Sequence, residues 1–200
     1  MDEGNIDALV GVRIRSAPIL GGLRKRKDTG RQAHLHVEGL VVEDKDDTLV
    51  LPHATTRVLT TDPPGFPPHE DPYPKVQWTF EREDGGQWDA GSIDRTSDLA
   101  QLLAAAGEAS AVVRLPLARA RLAAGEQVDF ALVALSAHDL LVPGKRPLPW
   151  AEVTGIEAGP EEPVFLSTAS GEDLMFSPLR SIADAAVLVA LISERFSPAP

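Results

Sequence analysis

The chain has no cysteine, which excludes disulfides, thiolate metal sites and cysteine nucleophiles together and agrees with a reducing compartment. It also lacks a long hydrophobic run: the richest window, Ala185 to Ile192, falls well short of the ~18 apolar residues a spanning helix needs. The stretch from Met1 to Pro18 begins with acids and is broken by Arg13 and Arg15, so no secretory signal is expected and a cytoplasmic location follows. Phosphate cradles are missing too. Gly21-Gly22-Leu23-Arg24-Lys25 does not end in Gly-Lys-Ser/Thr, and no G-x-G-x-x-G occurs. There is no G-x-S-x-G elbow, and Ser170, within Thr168-Ala169-Ser170-Gly171, fits a tight turn. His138 and Asp139 are adjacent, so on a strand they point to opposite faces and cannot pair as base and orienting carboxylate. These absences argue against an enzyme, and no catalytic residue, cofactor or metal is expected.

Positive charge is scarce. Nineteen Lys and Arg against thirty Asp and Glu leave a net charge of −11. Such a surface repels phosphate backbones and anionic bilayers, which argues against nucleic acid and disfavours a membrane. Residues 1–32 are the exception, with seven basic residues against four acids, a local +3 that leaves −14 for the remainder. They read as an N-terminal basic arm. Its tetrad Arg24-Lys25-Arg26-Lys27 could meet RNA, an anionic lipid head or an acidic protein. The plainer reading is a solvated loop, or an arm that pairs with the chain's own Glu43-Asp44-Lys45-Asp46-Asp47.

The 200 residues allow one large domain or two small ones, and 43% hydrophobic with 24% charged residues is an ordinary globular balance. An internal repeat favours two. Leu40-Val41-Val42 and Leu140-Leu141-Val142 are short apolar strands. Each is followed by a charged or glycine turn and by a strand ending in Leu-Pro (Leu51-Pro52, Leu148-Pro149), then by a ring and an alanine (His53-Ala54, Trp150-Ala151). Further strands are expected at 55–60, 76–82 and 87–93 in the first half, and at 152–157, 164–169 and 173–177 in the second. A helix closes each half. Leu99, Leu102, Leu103 and Ala106 share one face, with Gly107 as the stop signal. Ile182, Ala185, Ala186, Val189, Ile192 and Phe196 make the second stripe, with Ser181 and Asp184 placed like a capping box. Residues 109–125 read as a helical connector interrupted or started near Pro116, with Leu115, Arg119 and Leu122 on one face.

These segments, and Leu122 to Gly159 above all, resemble an uncharacterised actinobacterial family with tandem pleckstrin-homology-like (PH-like) domains. The resemblance implies an α+β fold of two tandem PH-like modules, each a curled antiparallel sheet or barrel closed by a C-terminal helix. The modules would occupy residues 33–108 and 126–197, and no family activity is carried over. The first half departs from the pattern in having His53 where the second has Trp150, and in a Pro-rich insertion at 62–74 with six prolines in thirteen residues. That insertion favours an extended polyproline form in which Phe66 and Tyr73 could anchor a partner; otherwise it is a rigid hairpin loop. Trp150 is expected to anchor the core between sheet and helix rather than stack on a ligand.

His34 and His36 fall on one face of a strand and could chelate a metal. Glu38 follows too closely for the usual frame, however, and a third ligand would have to be His53 or His69. Two partly exposed histidines are expected instead. The leading expectation is a scaffold that binds another protein. The alternative is a peripheral lipid-head-binding domain, which needs basic side chains in a first hairpin loop. That loop reads as Glu43 to Asp47 in the first module, of the wrong sign, and as Pro143-Gly144-Lys145-Arg146 in the second.

Overall fold

In a computed structural model, the structure describes residues 3–21, 27–44, 47–61, 75–94, 96–157, 163–171, 174–178 and 184–196. The chain divides into two compact units, Met1–Val113 and Arg114–Pro200.

Unit 1 opens with helix α1 (Glu3–Val10). An antiparallel sheet follows, of strands β1 (Arg13–Gly21), β2 (Lys27–His36), β3 (Gly39–Asp44) and β4 (Asp47–Pro52) in that order. Pro52 ends the ladder because it has no N–H to extend it, and a one-turn 3-10 helix, His53–Thr55, redirects the chain. A second antiparallel sheet then forms from β5 (Thr56–Thr61), β6 (Lys75–Arg82) and β7 (Gln87–Asp94). Helix α2 (Asp98–Ala123) begins at Ser97, whose Oγ accepts the Ala100 amide at 3.1 Å. Inward residues of both sheets (Ala33, Leu40, Val42, Leu51, Phe80 and Trp88) form one core with Leu99, Leu102, Leu103 and Ala106 of α2. The expected face of that helix is therefore the buried one.

A smaller core lies on the opposite face of the first sheet, where Ile6 and Val10 of α1 cover Val41 and Val50. Strand β3 is thus buried on both faces, which is why it reads as a continuous apolar run rather than an alternation. Gly39 permits this docking: a Cβ there would lie 2.5 Å from Val10 Cγ1 and 2.9 Å from the Leu51 carbonyl oxygen.

Unit 2 contains a four-stranded antiparallel sheet of β8 (Val128–Asp129), β9 (Ala134–Leu135), β10 (Asp139–Leu141) and β11 (Leu148–Pro149). Again a proline ends the ladder, and a 3-10 turn, Trp150–Glu152, follows. Strands β12 (Val153–Glu157), β13 (Pro163–Thr168) and β14 (Leu174–Pro178) make a three-stranded sheet, and helix α3 (Ala185–Phe196) comes last. The order of elements is that of unit 1, and so are several backbone hydrogen bonds. The first amide of each 3-10 turn donates to the residue before the third strand: His53 to Glu38 at 2.8 Å, Trp150 to His138 at 2.9 Å. The last carbonyl of each turn accepts from just past the sixth strand, from Glu83 at 2.9 Å and from Ala169 at 2.8 Å. Each following turn is closed by a glycine of positive φ, Gly85 (+92°) bonding Arg82 and Gly171 (+74°) bonding Thr168.

Several expectations are corrected. Among the described residues no ladder joins the four- and three-stranded sheets of either unit into a closed barrel; Pro52 and Pro149 interrupt pairing at the corner. Residues 1–32 are not a separate arm. They supply α1, β1 and the start of β2, because Ala17 and Ile19 point into the core while Arg15 reaches Gln101 at 3.3 Å and Asp98 at 3.7 Å on α2. The first hairpin of unit 1 is therefore β1–β2, and Glu43 to Asp47 belongs to the β3–β4 hairpin.

Gly107 does not stop a helix either, and 109–125 is no separate connector. Helix α2 runs through both Gly107 and Pro116. A Cβ at Gly107 would meet Trp78 at 3.4 Å and Val58 at 3.7 Å, so the glycine provides clearance for packing. Pro116 removes the bond to the carbonyl of Val112, whose residue is 75% exposed, so the lost bond falls on the solvent side of the helix. The actual stop is Gly125 (φ +81°), where Gly125 N donates to Leu122 O at 3.1 Å and Glu126 N to Arg121 O at 2.9 Å, the paired bonds of a Schellman cap. On the face expected for this stretch, Leu122 is buried and Leu115 half-buried, but Arg119 is exposed. In α3 the buried face is Val187, Leu188, Leu191 and Ile192, whereas Ala186 is exposed. An unbroken apolar run does not fix the phase of a helix, and packing turns its larger side chains inward. Ser181 lies outside the described residues.

Candidate functional site

Three of the four histidines named as possible ligands, His34, His36 and His53, lie among the described residues of unit 1, and their environment follows from the two-sided burial of its first sheet. His34 and His36 share the face of β2 that α1 covers, so they are buried, 3% and 1% exposed, rather than partly exposed as the alternation suggests. His53, the first residue of the 3-10 turn, is 3% exposed. Each ring is engaged. Ser16 Oγ, opposite His34 across the β1–β2 ladder, lies 2.7 Å from His34 Nδ1. A Glu43 carboxylate oxygen lies 3.1 Å from His34 Nε2 but off the ring N–H axis, so the contact is electrostatic rather than a formed hydrogen bond. His36 Nδ1 donates to the Gly11 carbonyl at 2.8 Å. The His53 ring bonds the His36 carbonyl, and its buried Nε2 has no partner. Burial lowers the pKa of His53, and the His36 carbonyl partly offsets that by favouring the ring N–H.

Among the described residues no three His, Cys, Asp or Glu side chains are grouped to hold a metal ion. His69 lies outside the described residues, and Glu38 contributes its backbone: its amide donates to Val10 O at 2.8 Å and its carbonyl accepts the His53 amide. Ser16 and Glu43 had no sequence signal. They meet His34 only through strand register, 18 and 9 positions away in the chain.

A cleft of about 490 Å³ opens in unit 1 between the β3–β4 hairpin and the start of β7. Val42, Leu49 and Trp88 form its apolar floor, with Arg31, Asp44, Asp47 and Gln87 around it. Trp88 is held by stacking on Phe80 at 5.8 Å, which in turn stacks on Trp78 at 6.3 Å. Arg31 and Asp44 pair at 2.9 Å across the mouth of the cleft. One Asp47 oxygen accepts the Thr48 amide at 2.9 Å, and Gln87 donates to Asp89 at 3.0 Å. An apolar floor within a polar rim suits a side chain or short segment of another macromolecule.

The remaining candidates are structural or dispersed. Trp150 is half-buried rather than a core anchor, and its indole N–H donates to the Ser136 carbonyl at 3.1 Å, pinning the 3-10 turn to the β9–β10 turn. Ser170 lies in a tight turn beside Thr168, with 3.0 Å between the hydroxyls. Arg146, one of two cations in the β10–β11 turn, pairs with Glu152 at 3.0 Å. Arg24 to Arg26, and the Pro-rich insertion with Phe66 and Tyr73, lie outside the described residues. No helix among the described residues is long and apolar enough to cross a membrane. No protein-family model matches the chain, and a comparison with curated proteins gives no significant match.

Proposed function

We propose that this chain is a non-enzymatic cytoplasmic scaffold of two tandem PH-like modules that binds another protein. The observation carrying the reading is the repetition of one unit: four strands, a Leu-Pro corner with its 3-10 turn, three strands and a helix, framed by matching backbone hydrogen bonds. A module of this kind offers loops and clefts on a rigid scaffold, and fold alone specifies no chemistry. The buried histidines support a non-catalytic reading, since each ring is tied to a neighbouring strand or turn. The cleft over Trp88 is the binding surface put forward, with Asp47 and Gln87 on its rim.

Affinity purification from the native host tests this. A single protein retained in stoichiometric amount is expected, and Asp47→Lys with Gln87→Lys should weaken its binding by about tenfold or more, as a reversed charge at an interface does. The absence of any stoichiometric protein sinks the scaffold reading. Undiminished binding by the double variant removes the cleft from it.

The lipid-head alternative is favoured by one observation. Because β1 and β2 form the first hairpin of unit 1, the residues between them are Gly22 to Arg26, which include three of the four basic tetrad residues. Co-sedimentation with phosphatidylserine and phosphoinositide vesicles at low salt should then be lost between about 0.05 and 0.5 M salt and on replacing Arg24, Lys25 and Arg26 by alanine. No sedimentation at low salt ends that alternative.

A further inference from the structure

We infer that the seam joining α1 to the 3-10 turn of unit 1 is an acid-sensitive latch, in which proton uptake at His53 opens the seam and frees α1 from the outer face of the first sheet. This rests on the geometry of unit 1 alone and holds whether or not the scaffold reading does. The seam is a continuous chain of hydrogen bonds. Val10, the last residue of α1, accepts the Glu38 amide at 2.8 Å, and the Glu38 carbonyl accepts the His53 amide at 2.8 Å. Gly11, which links α1 to β1, is held by the His36 ring, and the His36 carbonyl is held by the His53 ring. On the other side, Ser110 of α2 donates to the carbonyls of His53 at 3.2 Å and Thr56 at 3.1 Å. Gly39 sits in the same seam, with no room for a Cβ between Val10 and Leu51.

His53 is the group that proton uptake disturbs. Its Nε2 is buried without a partner, so a proton there creates a buried N–H and a charge with no acceptor. The groups bonded to His53 are neutral: the His36 carbonyl at its ring, the Glu38 carbonyl at its backbone amide and the Ser110 hydroxyl at its backbone carbonyl; the titratable ring of His36 stands next to it in the same chain of bonds. His34, elsewhere on β2, has an acidic neighbour in Glu43, 3.1 Å from its Nε2. Burial depresses the pKa of His53 below the 6.5 of a solvated ring, and therefore the open form binds the proton more tightly. The closed seam keeps its full stability above pH about 6.5 and loses it as pH falls from there toward the lowered closed-state value. What opens is small and local. The apolar cover of α1 on the sheet consists of Ile6 and Val10 on Val41 and Val50.

Hydrogen exchange measured on the intact protein at pH 7.5 and pH 5.0, corrected for intrinsic rates, tests the latch. Amides of residues 3–12 should lose protection about tenfold or more at pH 5.0, since each pH unit between the two pKa values is worth up to a factor of ten. Amides of residues 99–106 should keep theirs. In His53→Gln, which retains a donor for the His36 carbonyl but takes up no proton, the α1 protection should be the same at both pH values. Equal protection of α1 in the wild type at both pH values overturns the inference. So does an equal loss in His53→Gln, or a parallel loss in residues 99–106, which would make the opening global. Should His53→Gln fail to fold, ring-proton NMR of the wild type decides: the His53 midpoint should lie below 6.5 and coincide with the α1 amide changes. A His53 midpoint at 6.5 without an α1 response overturns the latch.

Discussion

Replacing Arg114 by methionine should destabilise unit 2 by about 3–5 kcal/mol, the cost of stranding one member of a buried ion pair. Arg114 Nε donates to Asp184 Oδ2 at 2.7 Å, with the two side chains only 12% and 6% exposed. Asp184 also starts α3. Its carbonyl accepts the Val187 and Leu188 amides at 2.9 and 3.1 Å, and its φ of +51° is a left-handed conformation that aspartate tolerates better than most side chains. Without the guanidinium, the carboxylate must stay buried with its ion pair lost or drag the first turn of α3 into water. Chemical denaturation followed by circular dichroism reads the loss. The double variant Arg114→Met with Asp184→Asn should recover most of it, because no buried charge then remains. A loss under about 1 kcal/mol for Arg114→Met would mean that the pair behaves as a surface contact.

Truncating Phe80 to alanine should cost about 3–5 kcal/mol in unit 1, the range for emptying a buried aromatic site. Phe80 is 2% exposed and stacks between Trp78 and Trp88 at interplanar angles of 18° and 28°. The cavity cannot collapse easily, since Leu102 and Leu103 of α2, both fully buried, belong to the same rigid core. Trp88 is also the floor of the candidate cleft, so Phe80→Ala should weaken the proposed partner along with the fold. Phe165 of β13 serves as the control. At 39% exposure, its truncation should cost less than about 1 kcal/mol. Comparable losses at Phe80 and Phe165 would show that the aromatic stack is not the centre of the core.

Where local pattern and chemistry coincide, the structure was legible in the residues alone. The 3.6-residue spacing of Leu99, Leu102, Leu103 and Ala106 names the buried face of α2 without any knowledge of its neighbours. Leu-Pro at 51–52 and 148–149 marks the end of a strand in both halves, because a residue without an N–H cannot extend a ladder. The lack of cysteine and of catalytic motifs was equally plain. The candidate cleft was not, because its floor joins Val42 and Leu49 to Trp88, residues of two sheets whose approach no spacing encodes.

What the sequence determined by itself was therefore the repeated order from the third strand of each unit to its closing helix, since this depends on periodicity, on proline and on glycine within a few neighbouring positions. What only tertiary structure decided was which surfaces are covered. Residues 1–32 look like a basic arm until strand pairing places 13–21 and 27–32 in the first sheet, and His34 and His36 look half-exposed until α1 covers their face of it. Gly107 looks like a helix stop until Trp78 packs against it. In each case the deciding energy comes from contacts between segments far apart in the chain, where burial and close packing outweigh the local preference of any single residue.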